Sequence, residues 1–309
     1  MPTSPSQSPA LPLWQVHGLM LVTTMLVASS FTVGKAITDG LDPAVLLLLR
    51  YLLATAIFAP IVLAKGLFAR PSWGQMAGYG LISASAVGFF WCMFEALRST
   101  SAISTSIIFT LTPGLSGLYS ALFLRERLGS QRVFALLCGM GGALWVVFRG
   151  DLGRLLAMEV NHGDLLFLGG CLLMAAYTPL IKTFHRQESM LVMTFWVLAT
   201  GTGWLLLLAA PKLATVDWAG ITPAVWLGTI YLAIFSTVIT FYLTHLATPP
   251  LGPTRVMAYS YFYPAGVLLI DWGLGHGLPP PIIWPGVIVV SLATLVVQRG
   301  PANRHLCRL

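Results

Sequence analysis

Apolar residues run along this chain in ten stretches, 14–34, 44–64, 74–97, 102–124, 131–148, 163–183, 190–210, 223–246, 252–273 and 281–298, with polar residues gathered between them. A bilayer crossing takes about 20 predominantly apolar residues, so the pattern predicts ten transmembrane helices. Ten crossings use about 200 of the 309 residues and leave about 109 for two tails and nine connections. An appended catalytic or nucleotide-binding domain needs on the order of 100 contiguous residues, and that remainder does not hold one. Most of the charge sits near 65–73, 149–162 and 184–189 and in the segment 300–309, as expected of backbone in contact with water. An even number of crossings returns both termini to one side.

Composition agrees with the pattern. Of the residues, 57% are hydrophobic and 9% charged, against roughly 25% charged in a soluble domain. The formal net charge of +7 bears on orientation rather than on nucleic acid, because no basic stripe is present. With both termini in the cytoplasm, the inner segments collect Lys65, Arg70, Arg125, Arg127, Arg132, Lys182, Arg186, Arg255, Arg299, Arg304 and Arg308, while the outer ones hold Lys35, Arg50, Arg98, Arg149, Arg154 and Lys212. The positive-inside rule favours that arrangement in the cell's inner membrane. The first 13 residues carry no Lys or Arg, and no cleaved signal peptide is expected. Cys92, Cys138, Cys171 and Cys307 are not at CxxC spacing and read as packing residues.

The two halves of the chain correspond. Pro113 in FTLTPGLSGLY and Pro264 in YFYPAGVLL are 151 positions apart, and the connections that follow, LRERL at 124–128 and LGHGL at 274–278, are offset by 150. Upstream, FTVGKA at 31–36 faces YTPLIK at 177–182 at an offset of 146. Each half carries five spans, and an odd number makes the copies cross in opposite senses. The expected fold is therefore an all-α integral membrane protein with ten transmembrane helices in two inverted five-helix repeats. Its parts are a tail at 1–13, a first repeat at 14–148, a connecting loop at 149–162, a second repeat at 163–298 and a tail at 299–309. Inverted repeats are transporter architecture, with a site near the bilayer midplane, although scaffolds and channels are also built from duplicated bundles.

The elements ASSFTVGKAI…DPAVLLLLRYLLA and EALRSTSAISTSIIFTLTPGLSGLYSALFLRERLGSQRVFALLCGMGGALWVV resemble the EamA family of the drug/metabolite transporter superfamily. GDLLFLGGCLLMAAYTPLIK at 163–182 and GPTRVMAYSYFYPAGVLL at 252–269 are similar to the opening and ending of its second repeat. The match departs at one point, where Glu126 in the first half has His276 as its counterpart. The resemblance implies a ten-helix fold, cytoplasmic termini and export of small organic metabolites, amino acids among them.

Several residues could carry transport. The fourth span is rich in small hydroxyls, Ser104, Thr105, Ser106, Thr110, Thr112, Ser116 and Ser120, which serve either close helix packing or a cavity wall. Tyr259, Phe262 and Tyr263 fall at i, i+3, i+4 before Pro264, with Tyr261 turned away. They lie about 10–17 Å inward at 1.5 Å per residue, as either cavity or core. The matching face in the first half holds Thr105, Phe109 and Thr112, and Trp91 and Tyr177 are candidates to complete an aromatic cage. Pro113 and Pro264 interrupt their helices, as packing kinks or where backbone lines a cavity. Among charges, Glu95 lies three residues from Arg98, at the spacing of an outer salt bridge, while Lys35 and Arg50 either snorkel to the interface or face a water-filled pathway and attract an anion. His245, His276, Arg255 and Asp271 flank the ninth span and read as loop or interface residues. Gly74, Gly78, Gly139, Gly141 and Gly142 are expected to permit close helix contact.

The function these features predict is a secondary transporter that exports a small organic metabolite by alternating access. Its partners are a small-molecule solute and membrane lipid, with no nucleic acid, cofactor or metal, and a homo-oligomer is compatible with the sequence. The alternatives are a channel or a lipid-modifying membrane enzyme. The chain contains no G-x-x-x-x-G-K-[ST], no H-E-x-x-H and no G-x-S-x-G, so an enzyme would have to work without those motifs.

Overall fold

The structure is a computed structural model and describes residues 12–68, 70–100, 105, 108–125, 129–148, 151, 153, 162–186, 188–275 and 281–299. Expectations for the tail residues 1–11 and 300–309 and for Ser104, Ser106, Glu126, Arg127, Arg154 and His276 lie outside the described residues.

Helices form along every apolar stretch, and no strand occurs among the described residues. The first half contains α1 (Leu13–Ile37), α2 (Pro43–Ala64), α3 (Trp73–Ser99), α4 (Thr112–Phe123) and α5 (Ser130–Phe148). The second contains α6 (His162–Phe184), α7 (Met190–Leu213), α8 (Pro223–Leu251), a composite α9 and α10 (Trp284–Arg299). Helix α9 runs from Pro253–Ala258 through a 3-10 turn, Tyr259–Phe262, into Tyr263–Gly273.

Local chemistry sets the ends. The Asp42 side chain accepts from Ala44 N at the start of α2, Ser72 and Gln75 form a capping box on α3, and Ser189 accepts from Leu191 N at α7. Such caps satisfy amides that have no partner within the helix. Between α8 and α9 the chain reverses at Gly252, with φ 86, a conformation open to glycine at no steric cost.

Six of the helices are long and apolar enough to cross a membrane, namely α1, α2, α3, α6, α7 and α8, among the described residues. Four of the ten expected crossings do not reach that standard, and their geometry explains most of it. Helices α4 and α9 are interrupted just before their prolines, leaving uninterrupted pieces of 12 and 11 residues, and α10 has only 16. The 19-residue α5 carries Arg132 and three glycines among its apolar residues.

Packing follows the duplication. Helix α3 lies along α6, and the equivalent pair α8 and α1 also pack together. The contact of α4 with α6 is matched by that of α9 with α1, and the contact of α3 with α7 by that of α8 with α2. Three pairs, α2 with α7, α4 with α9 and α5 with α10, each join a helix to its own counterpart. The largest core cluster lies among α1, α2, α3, α6, α7 and α8, with a separate one holding α5 and α10 against α9. Large apolar side chains such as Leu207 and Leu227 point outward.

The glycines divide into two groups. A Cβ on Gly78 or Gly139 would meet the ring of Phe184 or Tyr261 at 2.7 Å, and one on Gly142 or Gly286 would meet the other's carbonyl oxygen at 2.9 or 2.7 Å. Nothing lies within 4 Å of a Cβ on Gly74 or Gly141. Gly142→Val is therefore expected to lower stability by about 1–3 kcal/mol through overpacking, with Gly74→Ala close to neutral. Thermal unfolding of the two purified variants in one detergent checks the difference, and equal midpoints would remove α5–α10 contact as the reason for the glycine.

Candidate functional site

Between the two halves lies an empty space of about 640 Å³, counted to its mouth. Its walls come from α1, α3 and Phe109 in the first half and from α6, α8 and α9 in the second. These are counterparts across the repeat, so the cavity sits on the relation between the copies. The lining combines aromatic rings (Phe31, Phe89, Phe90, Phe109, Phe241, Tyr177 and Tyr263) with four methionines and the hydroxyls of Thr23, Ser30, Ser236, Thr240 and Thr244. A smaller recess of about 250 Å³ adjoins it, lined by Thr110, Ser260, Pro264 and Val267 and sharing Phe31, Phe109 and Tyr263. These three rings pack on one another at centroid distances of 5.4 to 6.3 Å and divide the two spaces.

Of the residues singled out in the sequence, Tyr263, Phe109 and Tyr177 stand on the cavity wall, and Pro264 lines the recess. The single face expected of Tyr259, Phe262 and Tyr263 is divided. A 3-10 turn advances about 120° per residue, where an α-helix advances about 100°, so Tyr259–Phe262 lose the helical phase. Tyr259 reaches α1, where its hydroxyl lies 2.6 Å from His17 Nδ1. Phe262 packs against the small clusters on either side, and Tyr261 donates to Leu136 O of α5. Thr105 and Thr112 are fully buried but outside the lining, and Trp91 packs partly against the main core. Pro113 stands in the first turn of α4, after the break at residues 110–111.

The three charges part company. Glu95 and Arg98 form a half-exposed pair at 3.9 Å, which double-mutant measurements of such pairs put at ~1 kcal/mol or less. Lys35 donates to Leu97 O at 2.9 Å and so caps the last turn of α3. Arg50 neither snorkels nor reaches water, being 0% exposed. Its Nε donates to Thr237 Oγ1, Nη2 donates to Ser236 O at 2.9 Å, and the guanidinium lies 4.5 Å above the Phe90 ring. Ser236 and Thr237 belong to a π-helical segment, Ile234–Ile239, inside α8. There Thr237 Oγ1 donates back to Leu232 O, and Ser236 Oγ donates to Leu26 O of α1. Single π-helical turns concentrate at functional sites, and this one turns Ser236 toward the cavity. The only sequence signal for it is the Ser-Thr pair inside an otherwise apolar run.

A second buried polar chain starts at the wall. Thr194 spends its proton on Met190 O at 2.7 Å, so it accepts from His245 Nδ1–H at 2.7 Å. His245 Nε2 then accepts from the Tyr177 hydroxyl at 3.0 Å. Every member is satisfied with a neutral imidazole. His245 is thus interior, where the sequence reading put it at an interface. Outside the membrane-spanning segments, the His185 side chain lies 3.9 Å from Glu188, whose Oε1 accepts from Tyr79. Burial depresses the His185 pKa, and the carboxylate only partly offsets that.

Apolar helices in two matching halves around a cavity at their junction define a multi-pass membrane protein of the transporter class. The chain belongs to the EamA-like transporter family, whose model matches residues 15–148 and 161–299. It is 19% identical over 262 residues to an uncharacterised transporter of Bacillus subtilis, YyaM, covering 84% of this chain and 86% of that one. It is 24% identical over 290 residues to a protein of Vibrio cholerae named as a riboflavin transporter, covering 90% of each. A solved crystal structure superposes with a TM-score of 0.72 at 20% identity, over 90% of this chain and 96% of the other, and shares its fold.

Removing one end of the buried polar chain and removing its centre have different costs. Each buried polar group left without a partner costs ~1–3 kcal/mol. His245→Leu strands the hydroxyl of Tyr177 and one acceptor site of Thr194, whereas Tyr177→Phe strands only a ring nitrogen. The expected order of thermal stability is wild type, then Tyr177→Phe, then His245→Leu. An inverted order would break the assigned chain.

Proposed function

We propose that this transporter exports a small organic metabolite, an amino acid or related compound, across the cytoplasmic membrane by alternating access, crossing ten times with both termini in the cytoplasm. The observation that carries the reading is the cavity built from equivalent helices of the two halves. In an inverted repeat, copies that exchange conformations open a central site first to one face and then to the other. The tie between His17 of α1 and Tyr259 of α9 joins the halves at the end where α1 begins and α9 begins. Breaking and remaking that bond is a step such an exchange requires. Aromatic rings and methionines suit the apolar body of a metabolite, and the hydroxyls suit its polar groups. The Vibrio cholerae relative, named for an organic solute, supports the same class. Orientation rests on the distribution of Lys and Arg.

Purified protein is screened for solutes that raise its unfolding temperature, since ligands of the folded state stabilise by mass action. The solute found is then tested for counterflow in vesicles. Saturable counterflow is expected. Tyr263→Ala should lower it at least tenfold and Arg70→Ala less than twofold at equal reconstitution, and equal rates would sink the site. Flux without saturation would favour a channel, and chemical conversion of the solute an enzyme. In a cysteine-free background, an impermeant thiol reagent should label position 218 but not 65 in intact cells, and Thr244→Cys from either face of the membrane. The reverse pattern at 218 and 65 would invert the orientation, and labelling of Thr244→Cys from one face alone would overturn alternating access.

A further inference from the structure

The guanidinium of Arg50 is a full charge, completely buried, with no carboxylate against it among the described residues. Among the described residues its Nη1 has no hydrogen-bond partner, and two of its N–H groups are committed, one to a hydroxyl and one to a carbonyl. Holding the π-helical segment of α8 would need donors but not charge. An isolated ion in a low-dielectric interior costs far more than a neutral donor of the same reach, so a purely structural role leaves the charge unexplained.

The position of that charge supplies the explanation. Arg50 stops one layer short of the cavity, and two of the three groups that hold it, Phe90 and Ser236, are cavity-wall residues. No Asp or Glu lines the cavity among the described residues, and its polar groups are otherwise hydroxyls. Among the described residues the wall therefore has an uncompensated positive charge behind it and no negative one on it. We infer that the transported solute is an amphipathic organic anion, an apolar or aromatic body bearing one anionic group, and that Arg50 supplies the counter-charge that admits it. The inference rests on the transport reading of the same cavity and adds the charge of the solute. A unit charge a few ångströms away at an effective dielectric of about 20 discriminates ligands of different charge by tenfold or more.

The test uses three ligands of one shape, 3-phenylpropanoate, 3-phenylpropanamide and 3-phenylpropylamine, with charges −1, 0 and +1 at neutral pH. Binding of each to the purified full chain is measured by calorimetry at fixed ionic strength. The anion should bind at least tenfold more tightly than the amide, and the amine most weakly. Arg50→Gln, which keeps donors and loses the charge, should bring anion and amide within twofold, whereas a purely structural Arg50 would change all three affinities together. Equal affinities in the wild type, or an anion preference that survives in Arg50→Gln, would overturn the assignment. The wild-type comparison decides alone if that variant does not fold. Binding of none of the three would overturn the solute class and leave the transport reading intact, because two-sided labelling at position 244 tests that reading without a solute.

Discussion

Lipid offers no hydrogen bonds, so a chain that spans it has to close every backbone N–H and C=O within itself or against a polar cavity. The places where this protein departs from the regular helical ladder are therefore informative. Three departures stand out among the described residues: the turn at 110–111, the π-helical segment Ile234–Ile239 and the 3-10 turn Tyr259–Phe262. None faces outward alone. Thr110 and Ser260 line the recess and Ser236 the cavity, while Arg50 donates to the π-helical carbonyl of Ser236 and Thr237 to Leu232 O in the turn before. Irregular backbone and empty space occupy the same part of the molecule because each requires the other.

That link explains what was legible in the sequence. Most helix positions could be read because apolar runs and their caps are local, and nine of the ten described helices begin and end within about five residues of the stretches marked, whereas α4 begins ten residues into its stretch. The duplication was legible from the two prolines, which occupy the same place in their halves, each in the first turn of a restarted helix. The cavity was legible only in part. Residue spacing assumes an unbroken 3.6-residue period, so the 3-10 turn re-aimed Tyr259 and Phe262 while Tyr263, at the restart, kept its place. Phe89, Phe90 and Phe241 carry no local mark that separates a cavity wall from core. Arg50 posed a different difficulty. A long basic side chain near a helix end reads as one that reaches for water, and only the fold places the Thr237 hydroxyl and the Phe90 ring where they hold it inside.

The cavity walls display little chemistry of their own. Rings and thioethers give an adaptable apolar surface, and each hydroxyl can either donate or accept. The more demanding polar groups stand one layer back. Tyr177 leads to His245 and Thr194, and Phe90 and Ser236 lead to Arg50. The first layer sets shape, and the second sets the electrostatic character of the space.

The meeting of Gly142 with Gly286 has a consequence of another kind. The two are 144 positions apart, close to the repeat offset, and a Cβ on either would run into the other's carbonyl oxygen. Residue i meets j and j meets i, which is the isologous contact of a twofold dimer, here made within one polypeptide. At such a point a change in one copy is felt at once by the other. The halves are free to become different where they touch unlike partners, as α8 has done by acquiring its π-helical segment, but along the α5–α10 seam they remain bound to one another's shape.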